Sequence, residues 1–149
     1  MSLNSDVAGR TYPPIAPYQV SREVLRAFAN SVRAECPTHQ DLDAARAAGH
    51  HDLVAPPTFA VIIAQRAEAA VIADEQAGVD FSRVVHADQR FTHHRAIVAG
   101  DELTAATTVD AVRSVGSGGM ITLRTEIIDA HEQAVSTVLS SLLVRGEEQ

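Results

Sequence analysis

The spacing of apolar residues changes once along this chain. Before about residue 78 they recur every three or four positions; beyond it they alternate with polar ones. Val24, Leu25, Phe28, Ala29 and Val32 fall at helical spacing, which predicts a short amphipathic helix over 22–33. Ser21 stands at the N-cap, and Glu23 lies in the first turn, where the helix dipole favours an anion. Pro37 stops any continuation. A second short helix is predicted over 41–48, closed by Gly49 in a left-handed cap. The longest helical pattern is 58–77. Phe59, Ile62, Ile63, Ala67, Ala70 and Val71 form one stripe, and Gly78 ends it. The prolines at 56 and 57 are tolerated at its start, where an N–H has no helical partner. Its many alanines allow close approach to a sheet.

Strand signals dominate the rest. Residues 84–95 are one candidate. Leu103, Ala105, Thr107, Val109 and Ala111 alternate with Glu102, Thr104, Thr108 and Asp110. Ser117-Gly118-Gly119 reads as a hairpin turn, and Ile121, Leu123, Thr125 and Ile127 alternate beyond it. A turn at 129–133 leads to 135–145, which is apolar at Val138, Leu139, Leu142 and Leu143 on both faces, as in a central strand. Residues 11–20 read as extended, and prolines at 13, 14 and 17 confine any strand there to an edge. Long antiparallel strands following a buried helix predict an α+β layer architecture.

Composition narrows the function classes. A chain of 149 residues is expected to form a single domain over 1–149. Aromatics are 4 % with no Trp, so the core must be Val, Ile, Leu and Ala. A formal net charge of −7 argues against general nucleic-acid binding. All 12 basic residues are Arg. Lysine nucleophiles and lysine Schiff bases are therefore excluded, whereas forked recognition of phosphate is not. The lone Cys36 cannot form an internal disulfide, which fits a reducing compartment. No apolar run reaches the ~18 residues of a membrane span, and residues 1–6 lack the pattern of a signal peptide. A cytoplasmic protein without membrane contact is expected.

Two loops carry the chemistry. Cys36-Pro37-Thr38-His39 is small and polar, and Asp52-Leu53-Val54-Ala55-Pro56-Pro57-Thr58-Phe59 runs extended through two prolines into the long helix. Together they resemble the MaoC-like hot-dog family of (R)-specific enoyl hydratases and (3R)-hydroxyacyl dehydratases. The resemblance continues through Val85-His86-Ala87-Asp88-Gln89-Arg90-Phe91 and Ile97-Val98-Ala99-Gly100-Asp101. It implies a hot-dog fold, with a long central helix wrapped by a curved antiparallel sheet. It also implies an acyl-CoA or acyl carrier protein thioester as substrate, no cofactor, and pairing with a second hot-dog subunit in a homodimer or heterodimer.

In that family a loop of pattern Asp-x-Asn-Pro-x-His holds the catalytic pair. His39 and Pro37 match it, but Ala34 stands at the aspartate and Cys36 at the asparagine. Imidazole suits proton transfer next to a thioester because it titrates near neutrality. Glu35 is the only nearby carboxylate, displaced by one residue. Active members place a glycine N–H at the start of the helix to polarise the thioester carbonyl. Pro57 stands there without an N–H, so either the Thr58 or Phe59 N–H substitutes as donor, aided by the helix dipole, or the prolines simply rigidify the entry to the helix. Pro57, Thr58 and Phe59 are thus the substrate-binding candidates. The Pro-Pro-Thr-Phe form and the preceding residues 44–55 resemble most the acyl-binding, non-catalytic subunits of actinobacterial two-subunit (3R)-hydroxyacyl carrier-protein dehydratases. That branch implies a chain that shapes the acyl pocket while a partner supplies the catalytic pair.

Three other readings stay open: a self-sufficient homodimeric hydratase using His39, a non-catalytic acyl-binding module, and a hot-dog thioesterase using Glu68 on the long helix. The plainer reading of Glu68 sets it with Arg66 on the polar side of that helix. Cys36 reads as a small residue at the asparagine position rather than as a nucleophile. His93 and His94, adjacent on a strand, point to opposite faces, and no His-x-x-x-His or Cys-x-x-Cys occurs, so no metal site is expected. Arg83, Arg90, Arg95, Arg113 and Arg124 are candidate phosphate forks or simply solvated strand residues.

Overall fold

The two short α-helices begin where a side chain can satisfy a first-turn N–H group. The computed structural model describes residues 2–147. In it the Ser21 hydroxyl accepts from the Val24 N–H, and α1 runs Arg22–Ser31. The Asp41 carboxylate accepts from the Ala44 N–H at the start of α2, Leu42–Ala47. The long helix, α3, spans Ala60–Ala73 and is shorter than its pattern at both ends. At the start, Pro56 and Pro57 set a turn in which the Phe59 N–H bonds to Pro56 O at 3.0 Å. At the far end Asp74 leaves the helical region and turns its carboxylate onto the Gln76 N–H. Residues Glu75–Ala77 then form a separate 3₁₀ turn that ends at Gly78, in the left-handed region. Among the described residues no helix is long and apolar enough to cross a membrane.

The strands are β1, Tyr18–Gln19; β2, Val84–His93; β3, Glu102–Val115; β4, Gly118–Ile128; and β5, Ala134–Val144. They form one sheet in the order β1-β3-β4-β5-β2, with every neighbouring pair antiparallel. β5 is interior, as its two apolar faces predict. The proline-bearing segment follows the outer edge of β3, where the Tyr12 and Ile15 N–H groups donate to Thr107 O and Ala105 O, both at 2.9 Å. Pro13 and Pro14 fall between these donors, and Pro17 follows the second. The β3–β4 turn is Gly116-Ser117, not the predicted Ser117-Gly118-Gly119. Gly116 takes φ 57°, a value that favours glycine. Gly118 already belongs to β4, and a Cβ there would lie 2.1 Å from Val144 O. Register slips between His86 and Asp88 and between Val109 and Ala111 mark bulges, which bend and twist strands and so curve the sheet toward α3. One long helix wrapped by a curved antiparallel sheet is the hot-dog fold.

The core has two parts, and α3 serves both. Phe59, Ile63 and Ala67 pack with Leu25, Leu53, Leu103, Ile127 and Val138. Val71, one turn on, packs with Val7, Val109, Ile121, Leu123 and Leu142. Where β3 and β4 pass between these parts, Thr107 and Thr125 face each other with hydroxyls 2.7 Å apart, both 0 % exposed. Removing one hydroxyl strands the other in an apolar setting, whereas removing both does not. Thr107→Val is therefore expected to cost about 1–3 kcal/mol. Adding Thr125→Val should recover much of that in a double-mutant cycle followed by urea unfolding.

Candidate active site

The two chemistry-bearing loops come together. His39 closes a single 3₁₀ turn, Pro37–His39, and is 7 % exposed. Its Nδ1 lies 2.7 Å from Val54 O on the second loop. A carbonyl can only accept, so Nδ1 carries the hydrogen and the neutral ring keeps its lone pair on Nε2. The Val54 N–H returns a bond to Thr38 O at 3.0 Å. The second loop is held from its other side by residues 97–99. Ala55 N–H donates to Ile97 O at 2.8 Å, and Ala99 N–H donates to Leu53 O at 2.9 Å. Arg95 bonds to both Asp101 and Asp129 and fixes that segment. Arg22 forks Asp52 at 3.0 and 2.9 Å, tying the loop to α1. This bond holds the Asp52 carboxyl well down, to about 2.

Among the described residues no carboxylate bonds to His39. Glu35 is exposed and makes no hydrogen bond to the imidazole. Cys36 is exposed, with Sγ 3.2 Å from Thr38 Oγ1, a contact that lowers the thiol pKa. At the start of α3 the candidates separate. The Phe59 ring is buried edge-on against Phe28 and Tyr18, and its N–H is taken by Pro56 O. Pro57 has no N–H. Thr58 is exposed, and its N–H has no acceptor among the described residues, so it is the free donor of the three. The Pro57 carbonyl accepts from His93 Nε2 at 2.8 Å.

Glu68 is not on the polar side of α3. It is 4 % exposed, and Ser140 Oγ on β5 donates to its Oε1. Ser140 is bonded in turn to Gln89 on β2. Burial pushes the Glu68 carboxyl up, against the smaller lowering effects of the Ser140 bond and of the charge on His86. The spacing itself held this information. Glu68 follows Ala64 by four and precedes Val71 by three, on the buried face. Arg66 is exposed and lies 4.7 Å above the Tyr18 ring.

The family model of the FAS1-like dehydratase domain region matches residues 6–138. The chain belongs to this family. A UPF0336 protein of Leifsonia xyli subsp. xyli is 51 % identical to this chain over 146 residues, covering 98 % of each chain. A UPF0336 protein of Streptomyces coelicolor is 42 % identical over 149 residues, covering 100 % of this chain and 99 % of the other. Among solved structures, a MaoC-like dehydratase superposes with a TM-score of 0.87 at 29 % identity. The match covers 94 % of this chain but only 42 % of that one. The C-terminally truncated HadBC (3R-hydroxyacyl-ACP dehydratase) complex of Mycobacterium tuberculosis gives a TM-score of 0.82 at 29 % identity, over 95 % and 99 % of the two chains. These relationships place the chain among hot-dog dehydratases related to (3R)-hydroxyacyl-ACP dehydratases.

The remaining candidates in this chain are mostly engaged in structure. Arg83, Arg90, Arg95 and Arg124 are all ion-paired with nearby carboxylates, which weakens their case as phosphate forks. Arg113 has no ion pair among the described residues. No group of three His, Cys, Asp or Glu side chains among the described residues is arranged to hold a metal ion. His94 bonds to Thr137, whereas His93 bonds to both Ser136 and Pro57. β2 ends at His93, so His94 lies beyond the strand rather than on it as the pattern over 84–95 predicts, and no sequence pattern could foretell the contact of His93 with a loop 36 residues away.

Proposed function

We propose that this chain is the acyl-pocket subunit of a hydro-lyase that interconverts (3R)-hydroxyacyl and trans-2-enoyl thioesters. Its substrates are acyl-CoA or acyl carrier protein thioesters, and a second hot-dog subunit supplies the carboxylate–histidine pair. One observation carries the reading. The His39 loop and the helix-start donor are both built, yet no described carboxylate bonds to His39.

Hydration of an enoyl thioester asks for two things, proton transfer and charge stabilisation. A base must take a proton from water as oxygen adds to C3 and a proton must then be delivered to C2, and a donor must hold the carbonyl oxygen as negative charge builds on it in between. The Thr58 N–H, at the positive end of α3, fits the second role. His39 Nε2 offers a lone pair for the first, but its Nδ1 is held by a neutral carbonyl rather than by a carboxylate that would stabilise the imidazolium. A partner with an intact pair completes the site. The HadBC structure, described as a (3R)-hydroxyacyl-ACP dehydratase complex, supports a two-chain arrangement.

The test is hydration of crotonyl-CoA, followed as loss of the enoyl absorbance. It is run with the purified chain and again after co-expression with a MaoC-like subunit that carries Asp-x-Asn-Pro-x-His. The isolated chain should be slower by about a hundredfold or more. Rapid turnover by the pure chain, abolished by His39→Ala, would overturn the proposal in favour of a self-sufficient hydratase. Release of free thiol by the pure chain, lost in Glu68→Gln, would establish a thioesterase instead.

A further inference from the structure

The peptide between Pro57 and Thr58 is gripped from one side and free on the other. Its carbonyl oxygen lies 2.8 Å from His93 Nε2 on β2. Because a carbonyl only accepts, Nε2 carries the hydrogen. The neutral ring then has its lone pair on Nδ1, and Ser136 Oγ, 2.7 Å away, donates into it. His93 is exposed but Ser136 is 0 % exposed, so an exposed ring is anchored on a buried residue of β5. Phe91 stacks on the imidazole, with centroids 5.8 Å apart and planes 13° from parallel. Position, plane and tautomer of the His93 ring are all determined by its neighbours.

The consequence falls on Thr58. In a trans peptide the C=O and N–H point to opposite sides of one rigid plane. Drawing Pro57 O toward β2 therefore turns the Thr58 N–H away from β2, where no described group accepts it. A hydrogen bond accepted by an amide oxygen also pulls electron density from its nitrogen, which makes the N–H a stronger donor. Proline adds to the arrangement through its fixed φ, which limits rotation of the held peptide.

We propose that His93 is a positioning residue that orients and polarises the Thr58 N–H as the donor to a thioester carbonyl. The direction of transfer is Ser136 Oγ–H to His93 Nδ1, His93 Nε2–H to Pro57 O, and Thr58 N–H to the ligand. The ligand in this statement rests on the acyl-pocket reading above. The orientation of the N–H does not.

Both parts can be read separately by nuclear magnetic resonance on the full chain labelled with nitrogen-15, with crotonyl-CoA as the probe. His93→Gln keeps a donor at the reach of Nε2. His93→Phe keeps a ring to stack on Phe91 but has no donor. In the free protein the Thr58 amide proton should move upfield in His93→Phe and stay near its wild-type position in His93→Gln. Crotonyl-CoA should perturb the Thr58 amide in the wild type and in His93→Gln. Its Kd should rise about tenfold in His93→Phe, equivalent to ~1.4 kcal/mol. A merely structural histidine would not be rescued by glutamine in this pattern. Should the phenylalanine variant unfold, Ser136→Ala removes only the bond into Nδ1 and should give a smaller shift of the same sign. A Thr58 resonance indifferent to every one of these substitutions overturns the proposal. A resonance that responds as expected in a wild type that fails to bind crotonyl-CoA leaves the positioning role standing and overturns the acyl-pocket reading alone.

Discussion

Phe59→Ala is expected to destabilise the fold by about 3–5 kcal/mol, the range for deleting a fully buried aromatic ring. Phe59 is 0 % exposed and is the largest fully buried side chain among the described residues. Its ring meets Phe28 edge-on at 5.3 Å between centroids and Tyr18 at 6.3 Å. Such aromatic pairs add to the area buried. Around it stand Leu25, Leu53, Ile63 and Leu103, drawn from a helix, a loop, α3 and β3. Four elements would have to move inward together to fill the void, so collapse is costly. A domain of this kind is stable by only roughly 5–15 kcal/mol, and the variant would lose a large share of that. In urea the midpoint should fall while the slope is unchanged, because the same surface is exposed on unfolding. A loss below about 1 kcal/mol would mean that the loops around α3 can close over the void. The same substitution should weaken crotonyl-CoA binding, since the Thr58 donor is one residue away and Phe59 holds the loop to the core.

Phe59 also shows what the sequence reveals and what it hides. Its place in the stripe with Ile63 and Ala67 marks it as core from spacing alone. As a substrate-binding candidate it was a consequence of the prolines, which remove the N–H groups before it. In the structure a turn bond to Pro56 takes the Phe59 N–H, so of the two N–H groups only that of Thr58 is left without an acceptor among the described residues. Turn bonds of this kind depend on loop geometry, to which periodicity is blind. The same limit explains the ends of α3. Asp74 falls within a continuous helical pattern, yet its carboxylate finds the Gln76 N–H, while Arg10 and Tyr12 bond to it from the N-terminal segment. The pairing of the two loops was legible only through resemblance, since residues 97–99 and Val54 meet through tertiary contacts. His93 was unreadable for the same reason. Glu68 is the opposite case: its position was legible from spacing, but a charged residue in a helix of alanines invited assignment to the solvent side.

Glu68→Gln should stabilise the protein near neutral pH, and the gain should disappear in acid. Burial raises the Glu68 carboxyl above its ordinary value of 4.5, so the folded state binds that proton more tightly than the unfolded chain does. The sign follows from linkage. Below the ordinary value both states are protonated, and Glu68 costs nothing electrostatically. As pH rises from there toward the raised folded value, the unfolded chain ionises first and stability is lost. Above the folded value the loss is constant. Glutamine has no proton to give up, and its Oε1 can still accept from Ser140 Oγ. The two proteins should therefore differ little in urea below the ordinary carboxylate range, separate as pH rises through it, and hold a constant difference once pH passes the folded value, with glutamine the more stable. His86 is the neighbouring charge that opposes this effect, since its protonated ring favours the carboxylate. A glutamine variant less stable than wild type at every pH would show that the carboxylate itself is needed in the fold. Its link through Ser140 to Gln89 on β2 would then be the contact to dissect next.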